Sequence, residues 1–286
     1  MTPRVSVLMP VHNGAAHIAA AVRSVLAQTY RDFELVVVDD GSTDESVAVV
    51  ERLVDARVRV VRREKAGIVG ALNAGLDEVR GEFVARFDAD DLMAPERLAR
   101  QVAFLDARPG VVACGTAYAE FGAGSAVVRM PRSAAACRAR LAFGTCVAHS
   151  AATIRTRALE NVRYRPEYEF AEDYRLFSEL SEIGDLANLP YVGLHYRTHA
   201  AQISAARAAT QRALTVRIAA ENLARAGVST GEDVLAGVIW PGAFGRYLTV
   251  QTPRALALGA RAGGVAGAVD ALRFARERLN TALRSG

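Results

Sequence analysis

Residues 33–44 read FELVVVDDGSTD, and this stretch decides the fold class. Glu34–Val38 is a short β-branched run with no helical period, which predicts a strand buried on both faces. It closes on Asp39-Asp40-Gly41, an acidic turn, and Ser42, Thr43 and Asp44 then offer N-caps for a helix over Glu45–Val54. A strand ending in carboxylates and turning into a helix is half of a β-α-β unit.

Working outward, the same rhythm continues on both sides. Val5–Met9 predicts a first strand, followed by a helix over His17–Gln28 with Ile18, Val22, Val25 and Leu26 on one face. Val58–Val61 predicts a third strand and Ile68–Val79 a helix stopped by Gly81. Phe83–Phe87 runs into Asp88-Ala89-Asp90-Asp91, a helix reaches from Pro95 to Ala107, and Val111–Gly115 predicts a fifth strand. Strands alternating with helices imply an α/β fold, a mainly parallel central sheet flanked by helices. After Tyr118 the rhythm weakens. Phe121–Ser125 reads as a turn, Ala134–Leu141 as a helix, His149–Ile154 and Tyr191–Tyr196 as strands, and Glu172–Ile183 as an amphipathic helix. From Ala205 onward the chain reads as helices rich in alanine and arginine.

Composition narrows the function. Hydrophobic residues make up 51% of the chain, enough for a large core and too many for disorder. The three cysteines form an odd set without a CxxC pair, so they fit a reduced interior and not a disulfide framework or zinc site. The opening MTPRVSVLMP is too brief for a signal peptide, and no apolar run is long enough to span a membrane. A cytoplasmic location is expected. The net charge of +4 comes from arginines spread along the chain, with Lys65 the only lysine, which reads as compositional bias and not a nucleic-acid footprint.

In open α/β sheets ligands bind beyond the carboxyl ends of the strands. Pro10–Gly14, Asp39–Gly41 and Asp88–Asp91 each follow a strand and should share one rim. Three carboxylates in four positions repel unless a cation lies between them, and hard divalent ions prefer oxygen ligands. The alternative for the same residues is a helix cap with solvated neighbours. Asp39 can accept from a base imide or a ribose hydroxyl, or serve a capping turn. Glu172-Asp173 opens a helix, where acids suit the dipole, and a carboxylate there can also act as a general base. His149 and the His199 of Tyr196-Arg197-Thr198-His199 have no assigned task from spacing alone. The first turn, Pro10-Val11-His12-Asn13-Gly14, lacks the glycine pattern of a dinucleotide fold, and no phosphate-binding GxxxxGK[ST] occurs.

Taken in order, VSVLMPVHNG, FELVVVDDGSTD, ALNAGL, GEFVARFDADD, AEDYRLF and YRTHAAQIS resemble the inverting glycosyltransferases of family 2, of bacterial type, with the GT-A fold. The resemblance covers roughly residues 4–204. It implies transfer of a sugar from a nucleotide-diphosphate sugar, UDP-linked by preference, to an acceptor hydroxyl, in surface glycan or glycoconjugate synthesis. By the same resemblance Asp88-Ala89-Asp90 is the DXD motif. Asp90 is expected to hold Mn²⁺ or Mg²⁺, with Asp88 facing the ribose or the metal shell and His199 completing that shell. Asp39 reads the base, Pro10, Val11 and Asn13 surround the nucleotide, and Asn73 and Arg86 lie near the nucleotide-sugar pocket. Asp173 is the catalytic base. The stretch between Tyr118 and Ser133 is a candidate for closing over the donor. A glycan, a lipid-linked saccharide or a small molecule could be the acceptor.

Residues 1–204 are expected to form the transferase domain and 205–286 a helical C-terminal extension. That extension offers packing on the core, dimerisation, or peripheral membrane contact through its arginines. Two other readings compete: a sugar nucleotidyltransferase, which wants a basic glycine-rich first loop, and a non-catalytic nucleotide-sugar-binding module, which wants a missing DXD or base. Neither mark is present.

Overall fold

The computed structural model describes residues 2–198 and 208–228, together with residues 236 and 239. Among the described residues nine strands form one sheet. Its path is β3 (Val58–Arg63), β2 (Phe33–Asp40), β1 (Val5–Val11), β4 (Phe83–Arg86), β8 (Thr153–Arg155), β6 (Val111–Gly122), β9 (Asp185–Thr198) and β5 (Leu92–Met93), with β7 (Val127–Val128) pairing on β6. From β3 to β4 every pair is parallel. Beyond β4 the sheet is mixed, because β8 runs antiparallel to both its neighbours while β6 and β9 are parallel.

β1, β2 and β4 are buried on both faces, as an apolar run between two helical layers must be, while the edge strand β3 is only partly buried. β2 shows the alternation directly. Leu35 and Val37 pack on one side with α1 (Ile18–Leu26) and α4 (Arg97–Asp106), while Val36 and Val38 pack on the other with α3 (Gly67–Glu78) and α6 (Glu172–Ile183). α3 presses closely on the sheet: a Cβ on Gly75 would lie 2.2 Å from Leu8 Cδ1 and 2.9 Å from Val38 Cγ2. α2 (Ser46–Glu51) is shorter than Glu45–Val54, the span expected from sequence.

Three further differences from the sequence expectations lie in the mixed half. The strand expected at Val111–Gly115 continues to Gly122, and its partner runs the whole of Asp185–Thr198, not only Tyr191–Tyr196. Pro190 hid that length, since proline cannot donate to a ladder. The register passes from Leu189 opposite Thr116 to Val192 opposite Ala117, so Pro190 falls in a bulge. His149–Ala151 is a single 3-10 turn, and the strand proper begins at Thr153. The stretch after Tyr118 is partly a hairpin, with β7 paired on Tyr118 and Ala119. α5 (Ala134–Arg140) follows.

One buried cation clamps the two halves together. Arg97 is fully buried, and its guanidinium donates to the carbonyls of Ser150 (2.6 Å), Arg86 (2.8 Å) and Ala152 (3.1 Å) and to Gln101 Oε1 (3.0 Å). At the other end of the chain α7 (Ala208–Arg225) packs on α6. Ser178 meets Asn222, and Arg175 is ion-paired with Glu221. Among the described residues no helix is long and apolar enough to cross a membrane.

Candidate active site

The site lies where β1 parts from β4. β4 pairs with β1 only over Val5–Leu8, so the end of β1, from Met9 to Val11, stands beyond that ladder. Pro10 and Val11 are buried there. The loop that follows is fixed by cross-links to the turn after β2. Asn13 sits at φ +53°, its N–H donates to Ser42 Oγ (3.0 Å), and its Oδ1 accepts from the Thr43 N–H (2.8 Å). Gly14 N–H donates to Ser46 Oγ (2.8 Å). Asp44 accepts from the N–H groups of Ala15 and Ser46, so it staples the two loops.

The acid pair after β2 divides its work. Asp39, 6% exposed, accepts from the Ser42 N–H at 3.0 Å through Oδ1. Asp40 accepts from the N–H groups of Ala66 and Gly67, each at 2.9 Å, at the start of α3. A carboxylate at a helix N-terminus suits the dipole and satisfies two orphan donors.

After β4, ligand atoms of Asp88, Asp90 and Asp91 lie within 4.8 Å of one another. Each carboxylate is tied differently. Asp88 is ion-paired with the buried Arg86, and its N–H donates to Ser150 Oγ (3.0 Å). Asp91 is fully buried, Oδ1 accepts from the Arg197 N–H (2.8 Å), and Oδ2 has no hydrogen-bond partner. Arg197 Nε also donates to the Asp90 carbonyl (2.8 Å). Burial, then the charge of Asp88, pushes the Asp91 carboxyl up to about 7. An all-carboxylate donor set with an unpartnered buried oxygen suits a hard divalent cation such as Mn²⁺ or Mg²⁺. Ala89, between the first two acids, is half-buried close to Gly14.

Arg86 links this acidic turn to a second one. Its charge acts on Asp88, Tyr164 and Glu172. Glu172 and Asp173 open α6 after Ala171 and Phe170, the latter at φ +79°, a strained conformation for a bulky residue and one that concentrates at functional sites. Burial, then the charge of Asp173, pushes Glu172 up to about 7, and Glu172 Oε2 is buried without a partner. Asp173 is half-buried and its carboxyl is also raised, chiefly by burial, against the opposing N–H of Tyr174 (2.7 Å) and the charge of Arg86. It lines a cavity of about 310 Å³ with Arg140, Phe143, Phe170, Gln211 and Thr215.

Asn73 engages the backbone of Tyr164 from both ends of its amide: Nδ2 donates to the carbonyl (2.8 Å) and Oδ1 accepts from the N–H (3.1 Å). Tyr164 in turn places its hydroxyl 2.7 Å from His149 Nε2. Burial and the charge of Arg86 hold His149 well below the usual histidine range, so it stays neutral there. Sequence reasoning named His149 without a task and missed Tyr164, Ser150 and Arg97. An arginine on an amphipathic helix and a tyrosine in a loop carry no local signal of such contacts. His199, expected in the metal shell, lies outside the described residues.

Residues 6–175 match the family model described as glycosyl transferase family 2. A glycosyltransferase of Haemophilus influenzae is 28% identical over 238 residues, which is 77% of this chain and 73% of that protein. Other curated relatives are matched over less than half of their own length. Among solved structures, Staphylococcus aureus TarS 1–349 in complex with UDP-GlcNAc superposes with a TM-score of 0.67 at 16% identity, covering 99% of this chain and 92% of that one. The mannosyltransferase PcManGT from Pyrobaculum calidifontis, in complex with GDP-Man and Mn²⁺, has a TM-score of 0.62 at 22% identity, covering 100% of this chain and 76% of that one.

Proposed function

The chain belongs to glycosyl transferase family 2 and is a glycosyltransferase of the GT-A fold, and from that premise we propose the finer reading. It transfers a sugar from a nucleoside-diphosphate donor, UDP-linked by preference, to an acceptor hydroxyl, with inversion at the anomeric carbon and with Mn²⁺ or Mg²⁺ as cofactor. The observation that carries this reading is the reach of one buried guanidinium, Arg86, to both the acidic turn at Asp88 and the acid pair at Glu172-Asp173. Two groups of carboxylates with different tasks are thereby held in one field.

Asp88 and Asp90 would hold the cation, with Asp91 behind them. A divalent cation supplies charge that stabilises a leaving diphosphate. Asp39 receives a donor group of the base or ribose, and Pro10, Val11 and Asn13 shape the crevice around the nucleotide. Asn73 acts at one remove, by fixing the Tyr164 backbone. Asp173 accepts the proton of the acceptor hydroxyl as that oxygen attacks the anomeric carbon from the side away from the diphosphate. Its raised proton affinity suits a base that must take a proton from a hydroxyl. The cavity beside Asp173 receives the acceptor, and residues 1–204 form the transferase domain with α7 packed against it.

Proton NMR of donor turnover tests the reading. With an α-linked UDP-sugar and Mn²⁺, the first sugar product is the β anomer, and Asp173→Asn suppresses its formation. An α product formed first would overturn inversion.

A further inference from the structure

α7 lies beyond residues 6–175, the part of the chain that the family model matches, yet it supplies one wall of the cavity beside Asp173. Gln211, Thr215, Ile218 and Asn222 are spaced four, three and four apart, so they share one face of this helix. The C-terminal half of that stripe is docked. Ile218 is fully buried, and Asn222 Nδ2 donates to the Leu141 carbonyl (2.6 Å) while its Oδ1 meets Ser178 of α6. On the flank, Val216 and Ala219 pack with Ala142 and Phe143. These contacts fix the rotation of the helix and carry Gln211 and Thr215 over the cavity.

Both residues are half-buried, and they differ in what they have left to offer. The Thr215 hydroxyl donates to the Gln211 carbonyl (2.7 Å), so toward the cavity it can only accept. Among the described residues nothing hydrogen-bonds to the Gln211 side chain, whose amide carries an acceptor oxygen and two N–H donors. A planar amide with both functions matches two adjacent hydroxyls, each of which donates and accepts.

The rest of the lining narrows the class. The cavity of about 310 Å³ stands at the low end of ligand sites, which run from roughly 300 to 1,000 Å³. Phe143 and Phe170 give it apolar walls that suit the C–H faces of a sugar ring. Arg140 and Asp173 are the charged residues among the described lining, one of each sign. An anionic acceptor would lose against Asp173 what it gained from Arg140. A neutral ring with C–H faces and a rim of hydroxyls fits all of these features, whereas a lone alcohol on a lipid or a serine leaves half of the amide unused.

We propose that the acceptor is a neutral saccharide and that Gln211 selects it, through hydrogen bonds to hydroxyls next to the one that reacts. This inference rests on the reading above that the acceptor enters beside Asp173. The reacting oxygen bonds to the anomeric carbon, the diphosphate departs with the electron pair of the broken bond, and the proton goes to Asp173. Gln211 takes no part in that exchange and is a specificity residue.

Saturation-transfer NMR on the full chain, with Mg²⁺ and whichever of UDP and GDP it binds, tests this. The probes are the methyl glycosides of glucose, galactose, mannose and N-acetylglucosamine, with methyl glucuronide, an N-blocked serine amide and a short isoprenol beside them. The native chain binds one of the neutral glycosides most tightly. Gln211→Ala weakens that glycoside about tenfold, the loss of about one hydrogen bond, and leaves nucleotide affinity unchanged. It melts no lower than the native chain, since alanine is the better helix former. Thr215→Trp, which fills the cavity, abolishes glycoside binding. Native binding of no neutral glycoside would overturn the inference, as would tightest binding of the glucuronide, the serine or the isoprenol. Binding kept by Gln211→Ala but lost in Thr215→Trp would overturn the role of Gln211. Binding kept by both would move the acceptor elsewhere and bring down the reading of the cavity itself.

Discussion

Asp91 accepts a 2.8 Å hydrogen bond from the backbone N–H of Arg197, 106 residues further along the chain. The bond joins the acidic turn after β4 to the end of β9, so a late strand helps to hold the carboxylates in place. Asp91→Ala removes the acceptor and strands a part-buried N–H, at a cost of about 2 kcal/mol. Asp91→Asn keeps the acceptor and removes a charge repelled by Asp88. Without metal, Asp91→Asn should therefore match or exceed the native urea midpoint, while Asp91→Ala falls below it.

The same crowding of carboxylates sets the response to pH. Asp91 and Glu172 are each pushed up to about 7, chiefly by burial. A carboxyl with a raised folded-state pKa adds stability below its unfolded value, about 4, and that stability is lost as pH rises through 7. The melting temperature of the metal-free protein should fall as pH rises from about 5 to about 8. Mn²⁺ should restore much of the loss at the upper end, and Glu172→Gln should flatten the metal-free curve.

Arg97 offers a test of the fold that is separate from the chemistry. Replacing it by Met leaves the carbonyls of Ser150, Arg86 and Ala152 without their donor in a buried setting. Each buried acceptor left unsatisfied costs about 1–3 kcal/mol, so the loss should be about 3 kcal/mol or more, read as a lower denaturation midpoint. The contacts lie at Arg86 and Ser150, so the weakened variant should also bind Mn²⁺ less tightly.

Asp173→Asn separates binding from turnover. The side chain keeps its volume and loses its capacity to take a proton. Donor-nucleotide affinity should stay within about twofold, and turnover should fall by about 10²–10⁴, the usual worth of a general base. A matching loss in both would place Asp173 in donor binding.

Much of the parallel half was legible in the sequence. Four strands follow from apolar runs that stop at acids or turns; they were expected to end at Met9, Val38, Val61 and Phe87 and end at Val11, Asp40, Arg63 and Arg86, and the crossover helices follow from their periodicity. The acidic turns were legible because charge after a buried strand is unusual enough to ask for a reason. The mixed half was not. β8 is three residues between two antiparallel partners, β5 is two residues, and Pro190 breaks the pattern of β9. Such elements exist because long-range partners complete their hydrogen bonds, and no local window contains those partners. Arg97 escaped for the same reason, and Asn73 was named through the family resemblance alone, not for its hold on the Tyr164 backbone. Their functions lie in backbone carbonyls and N–H groups tens of residues away.

The proposed reaction requires the acidic turn to hold a cation for a nucleotide donor. Thermal shift of the native chain and of Asp90→Ala, with UDP and GDP, in Mn²⁺ and in EDTA, tests it most directly, because a ligand of the folded state must raise its stability. The melting temperature should rise with one nucleotide in Mn²⁺, a rise absent in EDTA and lost in Asp90→Ala. An equal rise in EDTA, or one retained by Asp90→Ala, would contradict it.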